Sequence, residues 1–214
     1  MEKKDTLSRL KIQERKMRQQ IIVDAAREVF GQTTYDKASM AEIARTAGIA
    51  KSSIYTYFNS QEELYARIAY MDACEFISDL QDQIDHRPDD PLGASIDYFL
   101  EYYIAHIAQW RMITHFALHG NKEMGAVEQL NEIGRRLMDV FEKVFKALGS
   151  KERSRILAHT LFACLSGILI AFRNYPGRSE KERISHMKRI GEMVGTMTLA
   201  LIDENKKKGR SDEA

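Results

Sequence analysis

The stretch from Ser39 to Phe58, SMAEIARTAGIAKSSIYTYF, decides the fold because it reads as two short helices joined by a tight turn. Ser39 and Glu42 have the spacing of a capping box, which marks the beginning of a helix. Gly48 follows that helix, and glycine adopts at little cost the left-handed backbone that a turn between packed helices needs. The stretch therefore predicts a helix-turn-helix.

The second helix of this stretch is expected from about Ala50 to Tyr57. Ile54 and Phe58 lie four residues apart, so both can pack against the first helix. The opposite face is small and polar, and a helix of this kind fits a DNA major groove about 12 Å wide. The residues that this face presents are Lys51, Ser52, Ser53 and Thr56.

The chain before this stretch predicts a helix that packs on it. Its apolar stripe repeats at helical spacing and consists of Ile22, Ala25, Ala26, Val29 and Phe30. A basic arm, residues 1–20, precedes the stripe and contains Lys11, Arg15, Lys16 and Arg18. Two interpretations stay open at this point: the arm contacts phosphates or a neighbouring minor groove, or it is a solvated extension of the helix.

The first 65 residues or so resemble the DNA-binding domain of TetR-family transcriptional regulators. The residues that carry the resemblance are Ala25, Ala26, Phe30, Tyr35, Ser39, Ile43, Ala44, Ala47, Gly48, Tyr55, Tyr57, Phe58, Asn59, Ser60, Glu63 and Leu64. Two positions depart from the family pattern. Thr34 stands where the family usually has glycine, and Gln61 replaces the usual lysine.

The resemblance implies which residues contact DNA. Base edges would be contacted by Lys51, Ser52, Ser53 and Thr56, and phosphates by Ser39, Tyr55, Tyr57 and Gln61. Lys51 is the best candidate to contact guanine, because its flexible cation can reach the O6 and N7 acceptors.

The rest of the chain predicts helices only, so the fold class is all-α. Apolar residues recur every three or four positions from Leu64 to the last helix, and no period-2 strand pattern interrupts them. Breaks are expected at Arg87–Pro91, at Gly149 and at Asn174–Gly177. The expected domains are a three-helix helix-turn-helix head, residues 1–60, and a helical ligand-binding and dimerisation domain, residues 61–214.

The last two helices are the expected dimer contact. Residues 156–172, ILAHTLFACLSGILIAF, are apolar nearly all round, but a membrane span needs about 20 apolar residues and this run contains polar ones. Gly191 and Gly195 would permit a close approach between helices. The TetR resemblance implies a homodimer through helices at about 151–174 and 179–204. Core packing within one chain is the alternative.

A ligand pocket is expected in the helical domain, because aromatic and methionine side chains are frequent there. The residues assigned to it are Ile68, Met71, Tyr103, Trp110, Phe116, Met138 and Phe162. Each of them could equally be an ordinary core residue.

Charge and reactive residues limit the other classes of function. The net charge is +1, but residues 1–60 carry eleven Lys/Arg against seven Asp/Glu. His115 and His119 are four apart, as paired metal ligands can be, yet no third ligand accompanies them in a known metal-binding pattern. Cys74 and Cys164 show no CxxC spacing, which favours free thiols in a reducing compartment. We therefore expect no catalytic residues, no metal and no cofactor.

The sequence thus predicts a cytoplasmic, ligand-responsive regulator that is not an enzyme and binds no membrane. Its partners would be a palindromic double-stranded DNA operator, a second copy of the chain and a small, mostly apolar effector. The chain would be a repressor, and binding of the effector would release it from the operator. Two alternatives remain: a helical enzyme or metal-binding protein that uses His115 and His119, and a protein-interaction module.

Overall fold

The computed structural model describes the backbone of residues 2–33, 35–119, 125–150 and 152–212, and the side chains of residues 7–33, 35–115, 128–129, 131–150 and 152–204. These residues form helices and contain no strand, so the predicted all-α class is confirmed. In chain order the elements are α1 (Glu2–Gln32), a 3-10 turn (Tyr35–Lys37), α2 (Met40–Thr46), α3 (Lys51–Ile54), α4 (Gln61–His86), α5 (Pro91–Ala105), α6 (Ile107–His119), α7 (Gly125–Ala147), α8 (Ser154–Phe172) and α9 (Glu180–Asp212).

Side-chain caps fix where several helices begin. The Asp90 carboxylate accepts a hydrogen bond from the backbone N–H of Gly93 at 3.0 Å, and Pro91 takes the first helical position of α5. At α9 the backbone N–H of Glu182 donates to the Ser179 hydroxyl at 3.3 Å, and the Glu182 carboxylate accepts from the Ser179 N–H at 2.7 Å. Both caps have the three-residue spacing of a helix N-cap.

The chain folds as two compact units. The first comprises Met1–Met71 with Arg111–Val127, and the second comprises Asp72–Trp110 with Glu128–Ala214. The boundaries fall inside α4, α6 and α7, so each of these helices contributes residues to both units. The expected division at residue 60 separates a DNA-binding head from a ligand-binding domain by function. It does not coincide with the boundaries of the compact units, and it stays a prediction.

The first unit packs α1, α2 and α3 around one small core. The apolar stripe of α1 is buried as predicted, from Ile22 to Phe30, and Ile43 and Ala44 of α2 are buried with it. Helix α1 begins at Glu2. Its first half therefore continues the head helix as a helical arm, with exposed side chains from residue 7 to residue 18.

The second unit has a core of aromatic side chains. Phe76, Phe99, Phe141 and Phe145 are fully buried, and α5, α8 and α9 pack on one another. The ring of Phe99 lies 4.9 Å from that of Tyr103 and 6.4 Å from that of Phe141. Burial of so many large side chains makes the hydrophobic effect the main force that holds these helices together.

The glycines of α9 lie against α5 of the same chain. A Cβ atom on Gly191 would come within 2.7 Å of Cδ1 of Leu100 and 2.9 Å of Cγ2 of Ile96. One on Gly195 would lie 3.1 Å from Cδ1 of Ile96. The close helix approach expected from the sequence is therefore present, but its assignment to the dimer contact is corrected: both glycines pack inside one chain.

Helices α5 and α6 are separated at His106, whose backbone φ of −113° and ψ of 63° are not helical. The Arg173 guanidinium, just after α8, donates to the carbonyl oxygens of Tyr103 at 3.0 Å and Ile104 at 3.2 Å. These carbonyls belong to the last turn of α5, where intrahelical partners are missing. A cation from a distant part of the chain thus stabilises the break.

One face of α8 and α9 is apolar and uncovered in the single chain. Helix α8 is long and apolar enough to cross a membrane by length and composition alone. Its buried face packs on α5 and α9, whereas Ile156 is 62% and Ile170 is 69% exposed. On α9, Met193 is 59% and Met197 is 64% exposed. Large apolar side chains with this exposure indicate a contact surface.

We predict that Gly191→Ala lowers the free energy of unfolding by about 1–3 kcal/mol, because the new methyl group overpacks buried Ile96 and Leu100. Gly134→Ala is the matched control, since that glycine is also inside a helix and has no atom within 4 Å of the added Cβ. It should gain up to about 1 kcal/mol from helix propensity. Urea denaturation of both variants measures the difference, and equal stabilisation would contradict the close approach of α9 to α5.

Candidate nucleic-acid interface

The turn between α2 and α3 has the backbone that the sequence predicts. Ser39 caps α2, since its hydroxyl accepts from the backbone N–H of Glu42 at 3.2 Å. Gly48 has a φ of +67°, in the left-handed region. The N–H of Ile49 then donates to the carbonyl of Ala44 at 3.0 Å, which closes the end of α2.

Helix α3 is shorter than expected and spans Lys51–Ile54. Single helical turns continue it, because the N–H groups of Tyr57 and Phe58 donate to the Ile54 carbonyl at 2.8 and 3.0 Å. Ile54 and Phe58 are buried as predicted. The side chains that this element turns outward are exposed at Lys51, Ser52, Tyr55 and Thr56, and half-buried at Ser53 and Tyr57.

Gln61 has a partner within the chain. Its amide Nε2 donates to the backbone carbonyl of Tyr35 at 2.9 Å, so it ties the start of α4 to the 3-10 turn before α2. One N–H of the Gln61 amide is thus engaged within the chain, and the phosphate contact of Gln61 stays a prediction. The other departure from the family pattern, Thr34, lies outside the described residues.

Tyr57 contacts the arm of α1, which the sequence reasoning missed. The Arg15 guanidinium carbon lies 5.6 Å from the centre of the Tyr57 ring, within the range of a cation–π contact. A usable signal was present: Arg15 precedes Ile22 by seven residues, two helical turns, and so shares the face of α1 that packs on the head.

His115 of α6 packs on the head. Its ring lies 4.7 Å from that of Tyr35 and 5.6 Å from that of Tyr65. Phe30 completes the cluster, with its ring 4.7 Å from that of Tyr65. Burial raises the pKa of Tyr65 above its usual range, so its hydroxyl stays protonated at neutral pH. These rings connect α6 to the turn that precedes the helix-turn-helix.

The metal interpretation gains no support from this placement. The side chain of His119 lies outside the described residues, and the described side chains contain no group of three or more His, Cys, Asp or Glu that could hold a metal ion. The ring of His115 is engaged with the two tyrosines instead. Cys74 and Cys164 are free and half-buried.

Three of the predicted pocket residues come together around a fourth aromatic ring. In the second unit the Phe99 ring lies 4.9 Å from that of Tyr103, 6.2 Å from that of Trp110 and 6.1 Å from that of Phe162. Burial raises the pKa of Tyr103 well above its usual value. Met138 is buried in the same unit.

The remaining pocket residues are placed differently. Ile68 is buried and Met71 is half-buried on the part of α4 that belongs to the first unit. The side chain of Phe116 lies outside the described residues. The pocket assignment as a whole therefore stays a prediction.

A polar cleft of about 340 Å³ opens in the second unit at the start of α9. The Arg178 guanidinium lies 5.3 Å from the Tyr175 ring, and the His186 ring lies 5.0 Å from that of Phe172. Positive groups predominate in its lining, so the cleft can attract an anion. Its residues are Arg178, Lys181, Glu182, Ser185, His186 and Arg189. In the sequence they read as one solvated helix face, which is why they were missed.

Known proteins match the head of this chain in sequence. A model of the tetR family of bacterial regulatory proteins matches residues 22–68. The fatty acid metabolism regulator protein of Bacillus subtilis is 30% identical over 66 residues, which are 31% of this chain and 34% of that protein. The dhaKLM operon transcriptional activator DhaS of Lactococcus lactis is 36% identical over 64 residues, which are 30% of this chain and 34% of that protein. The chain thus matches about a third of the length of these relatives.

Solved structures match over most of the chain. The regulator FadR of Bacillus subtilis, solved in complex with stearoyl-CoA, has a TM-score of 0.65 at 17% identity and covers 82% of this chain and 96% of its own. SmeT, the repressor of a multidrug efflux pump of Stenotrophomonas maltophilia, has a TM-score of 0.61 at 20% identity and covers 86% of this chain and 89% of its own. At these identities the likeness concerns the fold.

Proposed function

We propose that this chain, whose residues 22–68 match the tetR family of bacterial regulatory proteins, is a ligand-responsive regulator that binds a specific DNA operator. Binding of an effector to the helical domain would release the operator. Where the operator overlaps a promoter, the bound protein would block transcription and act as a repressor. Binding of the effector would then restore transcription.

The polar face of α3 carries this proposal. Buried Ile54 and Phe58 hold the element from behind, so its outward side chains are presented on a fixed support. Lys51, Ser52, Ser53 and Thr56 would contact base edges, and Lys51 would contact guanine. Phosphate contacts would come from Ser39, Tyr55 and Tyr57. The Ser39 hydroxyl accepts a backbone hydrogen bond and still has its own proton to donate.

A homodimer through α8 and α9 would cover the apolar face that one chain leaves exposed. That face includes Ile156 and Ile170 on α8 and Met193 and Met197 on α9. In α8 the exposed positions 156, 160, 163, 167 and 170 recur every three or four residues, which is the pattern of a helix packed on two sides. A two-fold dimer would present two copies of α3 to a pseudo-palindromic operator.

The effector would be a small, mostly apolar molecule that enters among the aromatic side chains of the second unit. Tyr103, Trp110 and Phe162 surround Phe99 there, and the buried hydroxyl of Tyr103 is held in its neutral form. The fold-related regulator solved with stearoyl-CoA makes a long acyl chain the first candidate.

Two helices can carry the response to the head, because α4 and α6 each contain residues of both units. On α6, His115 touches Tyr35 in the turn before α2. Each tenfold preference of the effector for the released state contributes about 1.4 kcal/mol, so useful induction needs roughly 3 kcal/mol. Movement of α6 that displaces His115 would shift the turn and thereby α2 and α3.

We predict that Lys51→Ala weakens operator binding by about 1–3 kcal/mol and relaxes the base preference at one position of each half-site. Tyr57→Phe should weaken all DNA sequences alike, because it removes a phosphate donor. Lys143→Ala, at an exposed lysine of α7, is the matched control and should change neither property. Binding isotherms on the operator and on single-base variants measure both effects. Unchanged affinity and preference in Lys51→Ala would refute the base contact.

We predict that the double variant Ile170→Glu, Met197→Glu is a folded monomer, because it places charges in the apolar contact. Both side chains are exposed in the single chain, so the fold should tolerate the change. The control variant, Leu7→Glu with Leu10→Glu, alters two exposed apolar residues of α1 and should remain a dimer. Sedimentation measures the mass, and a dimeric Ile170/Met197 variant would place the contact elsewhere.

We predict that stearoyl-CoA changes the fluorescence of the protein and releases the operator over the same concentration range. Trp110 is the single tryptophan of the chain and is buried beside Tyr103, with ring centres 5.0 Å apart. Coenzyme A without the acyl chain is the control and should do neither. Release by coenzyme A alone, or release with no change in Trp110 emission, would place the effector site away from the aromatic cluster.

A further inference from the structure

We propose that the helical arm, residues 7–18 of α1, is a second DNA-contact surface that binds phosphates without reading sequence. This inference rests on the proposed function, because it extends the contact made by the helix-turn-helix. One side of the arm would face the DNA. The positions of the cationic side chains identify that side.

A row of cations continues the face of α1 that packs on the head. Lys11, Arg15 and Arg18 precede Ile22 at successive spacings of four, three and four residues. Residues with these spacings share one helix face. From Ile22 onward this face is buried, with α1 packed on α2, and before it the same face is exposed. The face changes from basic to apolar between Arg18 and Ile22.

The contact between Arg15 and Tyr57 shows which way the row points. The Arg15 guanidinium lies over the Tyr57 ring at 5.6 Å, and Tyr57 lies in the turns that continue α3. The basic row therefore runs beside the element proposed to enter the major groove. Phosphates that flank the groove are the anionic groups within reach of this position.

The charge of the row is available for an external partner. Glu14 lies 2.9 Å from Arg18 and neutralises it. Among the described side chains, no carboxylate pairs with Lys11 or Arg15, and the Arg15 guanidinium lies over the Tyr57 ring. Both are exposed. Two unneutralised cations per chain, held on a continuous helix, would release counterions when phosphates bind.

The shape of the arm decides between the backbone and the minor groove. A helix with its side chains is about 10–12 Å across, whereas the minor groove is about 6 Å wide, so the arm cannot enter it. Twelve helical residues span roughly 18 Å, which is enough to pass along several phosphates spaced at ~3.4 Å per strand. The arm would thus lie over the backbone.

The test compares two double variants that lose the same charge from opposite sides of the arm. Lys11→Gln with Arg15→Gln removes the row beside Tyr57, and Arg9→Gln with Lys16→Gln removes two cations from the other side of the helix. Full-length proteins are titrated with operator DNA between 50 and 200 mM salt. Lys11→Gln alone is included because it leaves the Arg15–Tyr57 contact intact.

For the variant without Lys11 and Arg15, we expect the slope of log affinity against log salt to be less steep by about 3.6, which is two contacts in each of two protomers. Lys11→Gln alone should lower the slope by about 1.8. The variant without Arg9 and Lys16 should keep the wild-type slope. The ratio of operator to non-specific affinity should stay constant in all of them, because phosphates carry no sequence information.

Equal slopes in wild type and in both double variants would show that the arm is only a solvated extension. Equal losses in the two double variants would show a general charge effect without a DNA side. Loss of preference for particular flanking bases would mean that arm side chains read the minor groove. If wild type enriches no DNA sequence at all, the proposed function fails, and that result is distinct from each of these.

Discussion

The burial of Ile54 and Phe58 is the constraint on which the candidate interface depends. Helix α3 has four residues, far below the length at which a helix is stable by its own hydrogen bonds. Its position is therefore set by these two side chains, which are buried in the head. The two side chains pack in the core that α1 and α2 form. The cap at Ser39 and the left-handed turn at Gly48 fix the orientation of α3 relative to α2.

Features that depend on local spacing could be predicted from the sequence. The caps at Ser39, Asp90 and Ser179 follow from residues three apart. Gly48 follows from the conformational freedom of glycine. The buried stripe of α1 follows from helical periodicity, and so does the all-α class. Each of these requires only that a side chain meet a neighbour within one or two helical turns.

Features that depend on contacts between distant residues could not be predicted from the sequence. Gly191 and Gly195 indicated a close helix approach, but the sequence does not say whether α5 or a second chain fills the space. The sequence indicates only a phosphate contact for Gln61, because its acceptor in the fold, the Tyr35 carbonyl, is 26 residues away. The contact of His115 with Tyr35 was missed for the same reason. Periodicity identifies a face, and only the fold identifies what lies against it.

The exposed side of α3 is proposed to read base sequence in a symmetric operator. Selection of bound sequences from a random pool of double-stranded DNA tests it most directly, with the Lys51→Ala variant selected in parallel. We expect wild type to enrich an inverted repeat whose half-sites are at least one helical turn, roughly 34–36 Å, apart. The variant should enrich a repeat with one less-specified position in each half. Enrichment of no sequence, or of the same sequence by both proteins, would contradict the claim.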